Sequence, residues 1–318
     1  MTTYRVMLVG LGQIGCGYDV DLPVDTHVMT HARASELHPG LTLVAAVDPS
    51  AEARARFAHH YAAPVFASLA EAASVGSIDV LILAAPTALH PRLLAEGLAV
   101  CTPRLILCEK PLATSMSEAR VMVDACVARG IAVYVNYMRC VEPGALEMER
   151  RLQTHQWAPP YAAVVWYTKG LRHNASHFWT LAERWFGPTK QARVTSRDGA
   201  WEDGDARVAV RAVHAEAVVH YLPVPDGPLS HHGVEILAGN GRARYDHGGR
   251  VITWEPRVVG VPPTILGREF VSLPTDFDRF QWYVADALVA ALDGRPQALC
   301  TGAEALAGLS RLWPLLES

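Results

Sequence analysis

The sequence has no apolar run long enough to span a membrane, no Cys-x-x-Cys pair and no excess of positive charge. The first absence argues against a membrane protein. A formal net charge of -4, without a Lys/Arg cluster interleaved with aromatic residues, argues against nucleic acid as a partner. The six cysteines are scattered without zinc-ligand spacing, so we expect no metal site and reduced, buried thiols. The N-terminus also lacks the pattern of a signal peptide, and we therefore expect a cytoplasmic protein.

Half of the 318 residues are apolar, which is enough for a large core and predicts two domains. Up to residue 136, short β-branched runs alternate with helical segments, as is typical of a doubly wound parallel α/β sheet of the Rossmann type. The predicted strands are 5–9, 41–47, 80–85, 104–108 and 131–135, and the predicted helices are 51–61, 88–100 and 117–129. We assign residues 1–136 to this first domain.

After residue 136 the pattern changes to a helix at 143–154 and strands separated by turn residues, including 208–213, 234–237 and 242–245. This pattern predicts an α+β domain with a mostly antiparallel open sheet, residues 137–318, for substrate binding and oligomerisation. Helices are predicted at 276–292 and 303–315, and packing of these helices on the first domain stays open. Segments 162–167 and 208–213 are apolar on both faces, which predicts a homodimer or homotetramer.

A glycine-rich turn follows the first predicted strand, in Gly10-Leu11-Gly12-Gln13-Ile14-Gly15. In a dinucleotide-binding turn Gly10 permits the tight turn, Gly12 lets the backbone approach a pyrophosphate and Gly15 allows close packing. Asp48 ends the next strand, where its carboxylate can accept both ribose hydroxyls and repel a 2′-phosphate. NAD(H) is therefore favoured over NADP(H).

The distance from Gly15 to Asp48 exceeds the usual spacing of roughly 20 residues. The extra length is attributed to residues 17–25, where Pro23 and several polar residues interrupt a helix. We expect the first crossover helix to begin late, with Thr26 as the cap of residues 27–38.

Several motifs, in this order and separation, resemble the Gfo/Idh/MocA family of sugar and cyclitol oxidoreductases over essentially the whole chain. They are the glycine turn, Asp48, Ala85-Pro86-Thr87-Ala88-Leu89-His90, Glu109-Lys110-Pro111, Asn136-Tyr137-Met138-Arg139 and the segment from His173 to His177. The Gly-Tyr-Asp insertion and the Lys-Gly-x-x-His-Asn-x-Ser-His block are similar to members from bacterial surface-polysaccharide or secondary-metabolite sugar pathways.

The resemblance implies that Lys110 lies beside the nicotinamide and the reacting carbinol, and that His177 exchanges a proton with the reacting hydroxyl. Imidazole suits this role because its reference pKa of about 6.5 allows it to act as acid or base near neutral pH. The structural alternatives are an exposed loop lysine and a core histidine. The four-residue spacing predicts His173 and His177 on one face of a helix.

Further contacts are carried over from the matching positions. Cofactor contacts are implied for Gly10, Gly12, Gln13, Ile14, Gly15, Asp48, Pro86, Thr87, His90, Glu109, Lys110 and Asn136. Substrate contacts are implied for Lys110, Arg139, Lys169, His173, Asn174 and His177. His173 and Thr180 stand where many members have Asp, so the fixed negative charge is missing and His173 is interpreted as a substrate ligand before a catalytic base.

These observations favour an NAD(H)-dependent oxidoreductase that acts on CH–OH groups of a sugar, nucleotide sugar or cyclitol. A non-catalytic NAD-binding regulator or scaffold of the same fold is the alternative from another class. A third interpretation keeps an enzyme but changes its substrate to an imine or enoyl compound.

Overall fold

The computed structural model describes residues 3–201, 204–224, 231–258, 260 and 270–317. The chain divides into two compact units, each described by itself. The first unit comprises Met1–Val141 and Asp278–Leu306, and the second comprises Glu142–Phe277 and Ala307–Ser318. The assignment of a cofactor role to one domain and a substrate role to the other stays a prediction.

The strands and helices are numbered separately in chain order. The strands are β1 (Tyr4–Val9), β2 (Leu41–Val47), β3 (Val65–Phe66), β4 (Val80–Leu83), β5 (Leu105–Cys108), β6 (Ala132–Val135), β7 (Tyr161–Tyr167), β8 (Gln191–Ala200), β9 (Ala206–Val213), β10 (Ala217–Pro223), β11 (Gly233–Ala238), β12 (Gly241–Asp246), β13 (Val251–Pro256), β14 (Val271–Leu273) and β15 (Cys300–Thr301). The helices are α1 (His31–Leu37), α2 (Ala51–His60), α3 (Leu69–Ala72), α4 (His90–Val100), α5 (Met116–Val127), α6 (Pro143–Gln153), α7 (Ser176–Phe186), α8 (Phe280–Leu292), α9 (Gly302–Leu312) and α10 (Pro314–Glu317).

The first unit is built on a sheet with the strand order β15-β6-β5-β4-β1-β2-β3. All neighbouring strands are parallel except β15, which runs antiparallel to β6. Strands β4 and β5 are apolar and buried along their whole length, because a parallel sheet is covered on both faces. The predicted doubly wound α/β sheet is confirmed.

The first crossover helix begins late, but the predicted cap is wrong. Thr30, and not Thr26, caps α1, and its hydroxyl accepts a hydrogen bond from the N–H of Arg33 at 3.3 Å. The buried Asp19 carboxylate accepts hydrogen bonds from the N–H groups of Met29 (2.7 Å) and Thr30 (3.0 Å) and from the Thr30 hydroxyl (2.8 Å). These bonds hold Thr30 in an extended conformation, so the helix starts one turn later than predicted.

The second unit is built on a sheet with the strand order β14-β13-β12-β11-β7-β10-β9-β8. Only the pair β7 and β10 is parallel among the described pairs of this sheet. The predicted α+β domain with a mostly antiparallel sheet is therefore confirmed. One face of the sheet packs in a core that includes residues of α6 and α7, and β7 alternates buried and more exposed residues.

Both predicted C-terminal helices differ from the structure at one end. The predicted helix 276–292 begins at Phe280, after a short 3₁₀ turn at Phe277–Arg279. The predicted helix 303–315 ends at Leu312, and a separate short helix starts at Pro314. Proline has no N–H to continue the helical hydrogen bonds, which explains the break. Within the described ranges we find no helix with the length and apolarity needed to cross a bilayer.

Candidate functional site

The first part of the candidate site lies where the parallel strands of the first unit end. Strands β1, β2, β4, β5 and β6 lead directly into Gly10, Asp48, Ala84, Glu109 and Asn136. Because the carboxyl ends of parallel strands meet at one edge of the sheet, these segments lie along one edge, where such sheets bind ligands. The structure therefore brings together the motifs that the sequence placed in the first domain.

A cavity of about 450 Å³ opens at this edge of the sheet. Its lining includes Gly10, Gly12, Asp48, Ser68, Pro86 and Arg92. Gly10 has φ +98°, and a Cβ there would lie 2.6 Å from the Ala84 carbonyl carbon, so only glycine fits. The space next to Gly12 is open within 4 Å among the described residues. An open backbone at this turn fits the close approach of a dinucleotide.

Asp48 lines this cavity and is fixed by the backbone. One carboxylate oxygen accepts the N–H of Leu11 and the other accepts the N–H of Ser50, both at 2.8 Å. Each carboxylate oxygen can accept a second hydrogen bond. The side chain is therefore held in position and keeps capacity for hydroxyl groups of a ligand.

The glycine turn does not continue into an α-helix. Gln13–Gly17 forms a single π-helical turn. A Cβ on Gly15 would overlap the carbonyl oxygen of Gly10, so the backbones of these two glycines pack closely together. Gln13 and Ile14 lie at the start of this turn, and cofactor contact by these two residues stays a prediction.

Pro86, Thr87 and His90 lie in different surroundings. Pro86 lines the cavity, and Thr87 begins a 3₁₀ turn. His90 is fully buried, with Nε2 at 2.8 Å from the Ala85 carbonyl oxygen and Nδ1 at 3.1 Å from that of Leu112. This placement favours a role in holding two loops, and cofactor contact by His90 stays a prediction.

Glu109 and Asn136 contact each other in the interior of the first unit. The Asn136 side-chain amide donates to Glu109 Oε1 at 2.6 Å, and His31 Nε2 lies 2.8 Å from the same oxygen. Burial alone would raise the pKa of Glu109. The hydrogen bond and charge of His31, the Asn136 amide and the charge of Lys110 outweigh that effect and hold the pKa below its ordinary value of 4.5. Glu109 is thus an anion next to Lys110, which is half-buried.

Arg139, the remaining candidate of the first unit, lies in a 3₁₀ turn at Met138–Cys140 and is buried. One guanidinium nitrogen lies 3.8 Å from the Met138 sulfur. A substrate contact by Arg139 stays a prediction. Among the described residues, no group of three or more His, Cys, Asp or Glu side chains is arranged to hold a metal ion.

A separate candidate segment lies in the second unit, around the start of α7. Residues Gly170–Ala175 form a π-helical turn that carries His173, and α7 begins at Ser176 and carries His177. The chain changes helix type between the two histidines, and a common face for them stays a prediction. His177 is buried and His173 is half-buried. Lys169 is exposed with φ +58°, and Asn174 is half-buried.

Asp205 is a residue that the sequence analysis missed. Its buried carboxylate accepts the backbone N–H of Arg172 at 2.7 Å and that of His173 at 3.1 Å. Burial raises the pKa of Asp205 above 3.8, although hydrogen bonds from the two N–H groups act in the opposite direction. A carboxylate thus stands beside His173, but it comes from the start of β9 and not from the helix. A single Asp between turn residues carries no sequence signal of this contact.

Gly170 allows this contact because it has φ +90°, and a Cβ there would overlap the Asp205 carboxylate. Thr180 donates its hydroxyl to the Ser176 carbonyl at 2.9 Å. Thr180 therefore contacts the backbone of its own helix. Trp179 is buried and stacks on Tyr221 with 5.1 Å between ring centroids, as expected for a core residue.

Comparison with known proteins agrees with this geometry. Residues 4–137 match the Gfo/Idh/MocA oxidoreductase family, described as having an NAD-binding Rossmann fold. The resemblance to that family is therefore confirmed for this part of the chain. The Gfo/Idh/MocA match covers the glycine turn, Asp48, Lys110 and Asn136 and ends before His173.

Curated relatives match less than half of the chain. The rhizopine catabolism protein MocA of Rhizobium meliloti is 27% identical over 45% of this chain and 40% of its own length. The inositol 2-dehydrogenase of Rubrobacter xylanophilus is 30% identical over 45% of this chain and 42% of its own. The scyllo-inositol 2-dehydrogenase (NADP(+)) IolU of Bacillus subtilis is 32% identical over 35% of this chain and 33% of its own. The aligned region thus spans less than half of each relative.

Solved structures match over the whole length and support the fold. The WlbA dehydrogenase from Bordetella pertussis, in complex with NADH and UDP-GlcNAcA, has a TM-score of 0.75 at 19% identity and covers 99% of this chain and 97% of its own. An oxidoreductase from Agrobacterium radiobacter in complex with NAD+, L-tartaric acid and magnesium has a TM-score of 0.74 at 15% identity, with 100% and 97% coverage.

Proposed function

We propose that the protein is an NAD(H)-dependent oxidoreductase that interconverts a secondary alcohol and a ketone of a sugar, nucleotide sugar or cyclitol. The observation that carries the proposal is the alignment of the glycine turn, Asp48 and Glu109-Lys110 along one edge of the Rossmann sheet, with a cavity at that edge. The names of the inositol dehydrogenases among the relatives support this substrate class. The resemblance of the His173 block supports a place in surface-polysaccharide or secondary-metabolite sugar biosynthesis.

In the proposed reaction His177 transfers a proton and Lys110 supplies a stabilising positive charge. When bound, the nicotinamide supplies the acceptor or donor of the hydride. In the oxidation direction, neutral His177 accepts the hydroxyl proton while the C–O bond gains double-bond character. The Lys110 ammonium stabilises the negative charge that develops on that oxygen. In reduction, protonated His177 returns the proton to the oxygen.

The first experiment is an absorbance assay of NADH formation or consumption with a panel of cyclitols, sugars and nucleotide sugars. We expect turnover with at least one compound and loss of that turnover in Lys110→Met. Binding of NADH without turnover of any compound would support the non-catalytic regulator instead.

We propose that NAD(H) is preferred over NADP(H). Asp48 faces the cavity with both oxygens already oriented by backbone N–H groups, so a 2′-phosphate there would meet a fixed negative charge. One relative, IolU, carries NADP(+) in its name, so the preference needs a direct affinity measurement on this chain.

We propose self-association through the open face of the sheet in the second unit. Trp166 on β7 and Leu237 on β11 are 39% and 51% exposed, and Leu237 pairs with Ala162, which is also exposed. Exposed apolar residues on adjacent strands are typical of a contact surface. Light scattering should show a dimer or tetramer that Leu237→Glu weakens, and a monomer at micromolar concentration would contradict the proposal.

We also propose a cytoplasmic location, which the six free cysteines support.

A further inference from the structure

The carboxylate of Asp48 occupies a small anion site at the edge of the cavity. It accepts the N–H of Leu11 from the glycine turn and the N–H of Ser50 from the start of α2, both at 2.8 Å. Backbone N–H groups that converge on one point favour a negative group there, whichever molecule carries the charge. The two donors therefore bind the Asp48 carboxylate, but they would suit another anion equally well.

Arg54 adds a positive charge next to the same residue. It lies in the first turn of α2 and is half-buried. Its Nη1 donates to the carbonyl oxygen of Asp48 at 2.7 Å and to that of Pro49 at 2.9 Å. Because Asp48 and Pro49 both line the cavity, these two hydrogen bonds fix the guanidinium beside the cavity wall.

The anchoring of Arg54 leaves one edge of its guanidinium for a ligand. The two hydrogen bonds use both N–H groups of Nη1, and within the described parts of the chain Nε and Nη2 make none. The Nε and Nη2 edge of a guanidinium matches two oxygens of a phosphate. Since the side chain is already anchored, it loses less conformational freedom on binding than an unattached arginine does.

We propose that Arg54 is a specificity-determining residue that binds the 2′-phosphate of NADP(H). An arginine close to the end of the second strand can accommodate this phosphate, whereas an acidic residue there binds the ribose hydroxyls. Asp48 and Arg54 therefore act in opposite directions, and Arg54 limits the penalty that Asp48 imposes on NADP(H). The inference rests on the proposed cofactor site, and it makes the preference for NAD(H) partial, so that NADP(H) also binds.

The test compares the affinities of NADH and NADPH for the unmodified protein and for Arg54→Leu, by fluorescence titration without substrate. The NADPH affinity should fall about tenfold, because charge-assisted hydrogen bonds to the 2′-phosphate are lost, while the NADH affinity stays within about twofold. A ratio of the two affinities that is the same in both proteins would overturn the proposal.

Arg56→Leu is the matched control, because it removes the same charge from the same helix. Arg56 Nη2 donates to the carbonyl oxygen of Leu11 at 2.9 Å, in the glycine turn that would serve both cofactors. Any loss of affinity in Arg56→Leu should therefore be equal for NADH and NADPH. A selective loss of NADPH binding as large as that in Arg54→Leu would reduce the effect to net charge and contradict a specific role.

Arg54→Gln is the second variant if Arg54→Leu does not fold. Its amide can still donate to the two backbone carbonyl groups, but it carries no charge. We expect the same selective loss of NADPH affinity, and an unchanged ratio of the two affinities would again overturn the proposal.

Asp48→Ser tests the opposition between the two side chains. This substitution removes the negative charge and releases the N–H groups of Leu11 and Ser50, so the NADPH affinity should rise. In Asp48→Ser combined with Arg54→Gln most of that gain should be lost, because the two positions face the same phosphate. A gain that persists in full in the double variant would contradict the role of Arg54.

The binding measurements separate this inference from the proposed function. If NADPH selectivity follows Arg54 in a protein that turns over no compound of the panel, the inference stands and the enzyme function is removed. If the protein turns over a substrate with NADH but its cofactor ratio does not depend on Arg54, only the inference is overturned. A protein that binds neither cofactor would remove both.

Discussion

Two buried carboxylates, one in each unit, stand beside candidate catalytic segments and are held in opposite ways. Glu109 is held by side chains, including His31 and Asn136, and lies next to Lys110 in the sequence, and its pKa is lowered. Asp205 is held by the backbone N–H groups of Arg172 and His173, and its pKa is raised because burial dominates. The first arrangement fixes an anion at the residue before Lys110, whereas the second shapes a backbone turn.

The comparison teaches that the two units contribute differently to the proposed reaction. In the first unit a side-chain network keeps the carboxylate of Glu109, the residue before Lys110, ionised. In the second unit a carboxylate sets the conformation of the segment that leads to His177. Charge control and conformational control can therefore be tested separately.

The largest expected effect comes from removing the proposed proton acceptor. His177→Ala should lower kcat by about 10²- to 10⁴-fold, the usual contribution of a positioned general acid or base. The affinity for NADH should change little, because the candidate cofactor contacts lie in the first unit. Stopped-flow or steady-state kinetics and a fluorescence titration with NADH measure the two quantities.

Thr180→Ala is the matched control for this experiment, since the Thr180 hydroxyl bonds to its own helix. It should retain turnover close to that of the unmodified protein. Near-normal turnover in both His177→Ala and Lys110→Met would remove the proposed mechanism.

The second prediction tests whether Asp205 controls the conformation of the turn that carries His173. Gly170→Ala should destabilise the second unit by about 2 to 4 kcal/mol, because alanine is strained at φ +90° and its Cβ would overlap the Asp205 carboxylate. Gly12→Ala is the counterpart in the first unit: its φ is -74° and the space beside it is open. It should keep its stability but weaken NADH binding. Chemical denaturation and NADH titration distinguish the two, and equal stability losses would contradict this difference.

The third effect concerns Asp48, a carboxylate held by backbone N–H groups like Asp205 but facing the cavity. NAD(H) should bind more tightly than NADP(H) by about 1 to 3 kcal/mol, and Asp48→Ser should narrow the difference. Calorimetric titration with both cofactors measures it. Equal affinities in the unmodified protein would reject this role.

The smallest effect is a pair of opposite pH dependences of stability. The pKa of Glu109 is lowered, so its contribution is present above about 4.5 and is lost as pH falls through the folded-state pKa. The pKa of Asp205 is raised, so its contribution is complete below about 3.8 and is lost as pH rises through the folded-state pKa. The stability deficit of Glu109→Gln should therefore shrink on acidification, and that of Asp205→Asn should shrink as pH rises. Urea denaturation from pH 3 to 7, in steps of about one pH unit, measures how the stability deficit of each variant changes with pH. Deficits that change in the same direction in both variants would contradict the comparison.

The sequence by itself determined the elements whose signals are local. The buried strands β1, β2, β4, β5 and β6 follow from short apolar runs, and the position of Asp48 after β2 follows from the strand it ends. The glycine turn could also be recognised from the sequence, because the position of Gly10 requires a positive φ. Lys110 and His177 were found by resemblance, and their roles stay predictions.

Only the tertiary structure decided how these elements are held. Asp19 sets the start of α1, and Asp205 holds the His173 turn although it lies 32 residues away in the sequence. His31 contacts Glu109 and Gln281, which are 78 and 250 residues away in the sequence. The change from the π-turn to α7 likewise has no local signal in the sequence. Each of these contacts joins polar groups that are brought together by burial of the surrounding core. Periodicity and spacing describe one segment at a time and carry no information about such pairs.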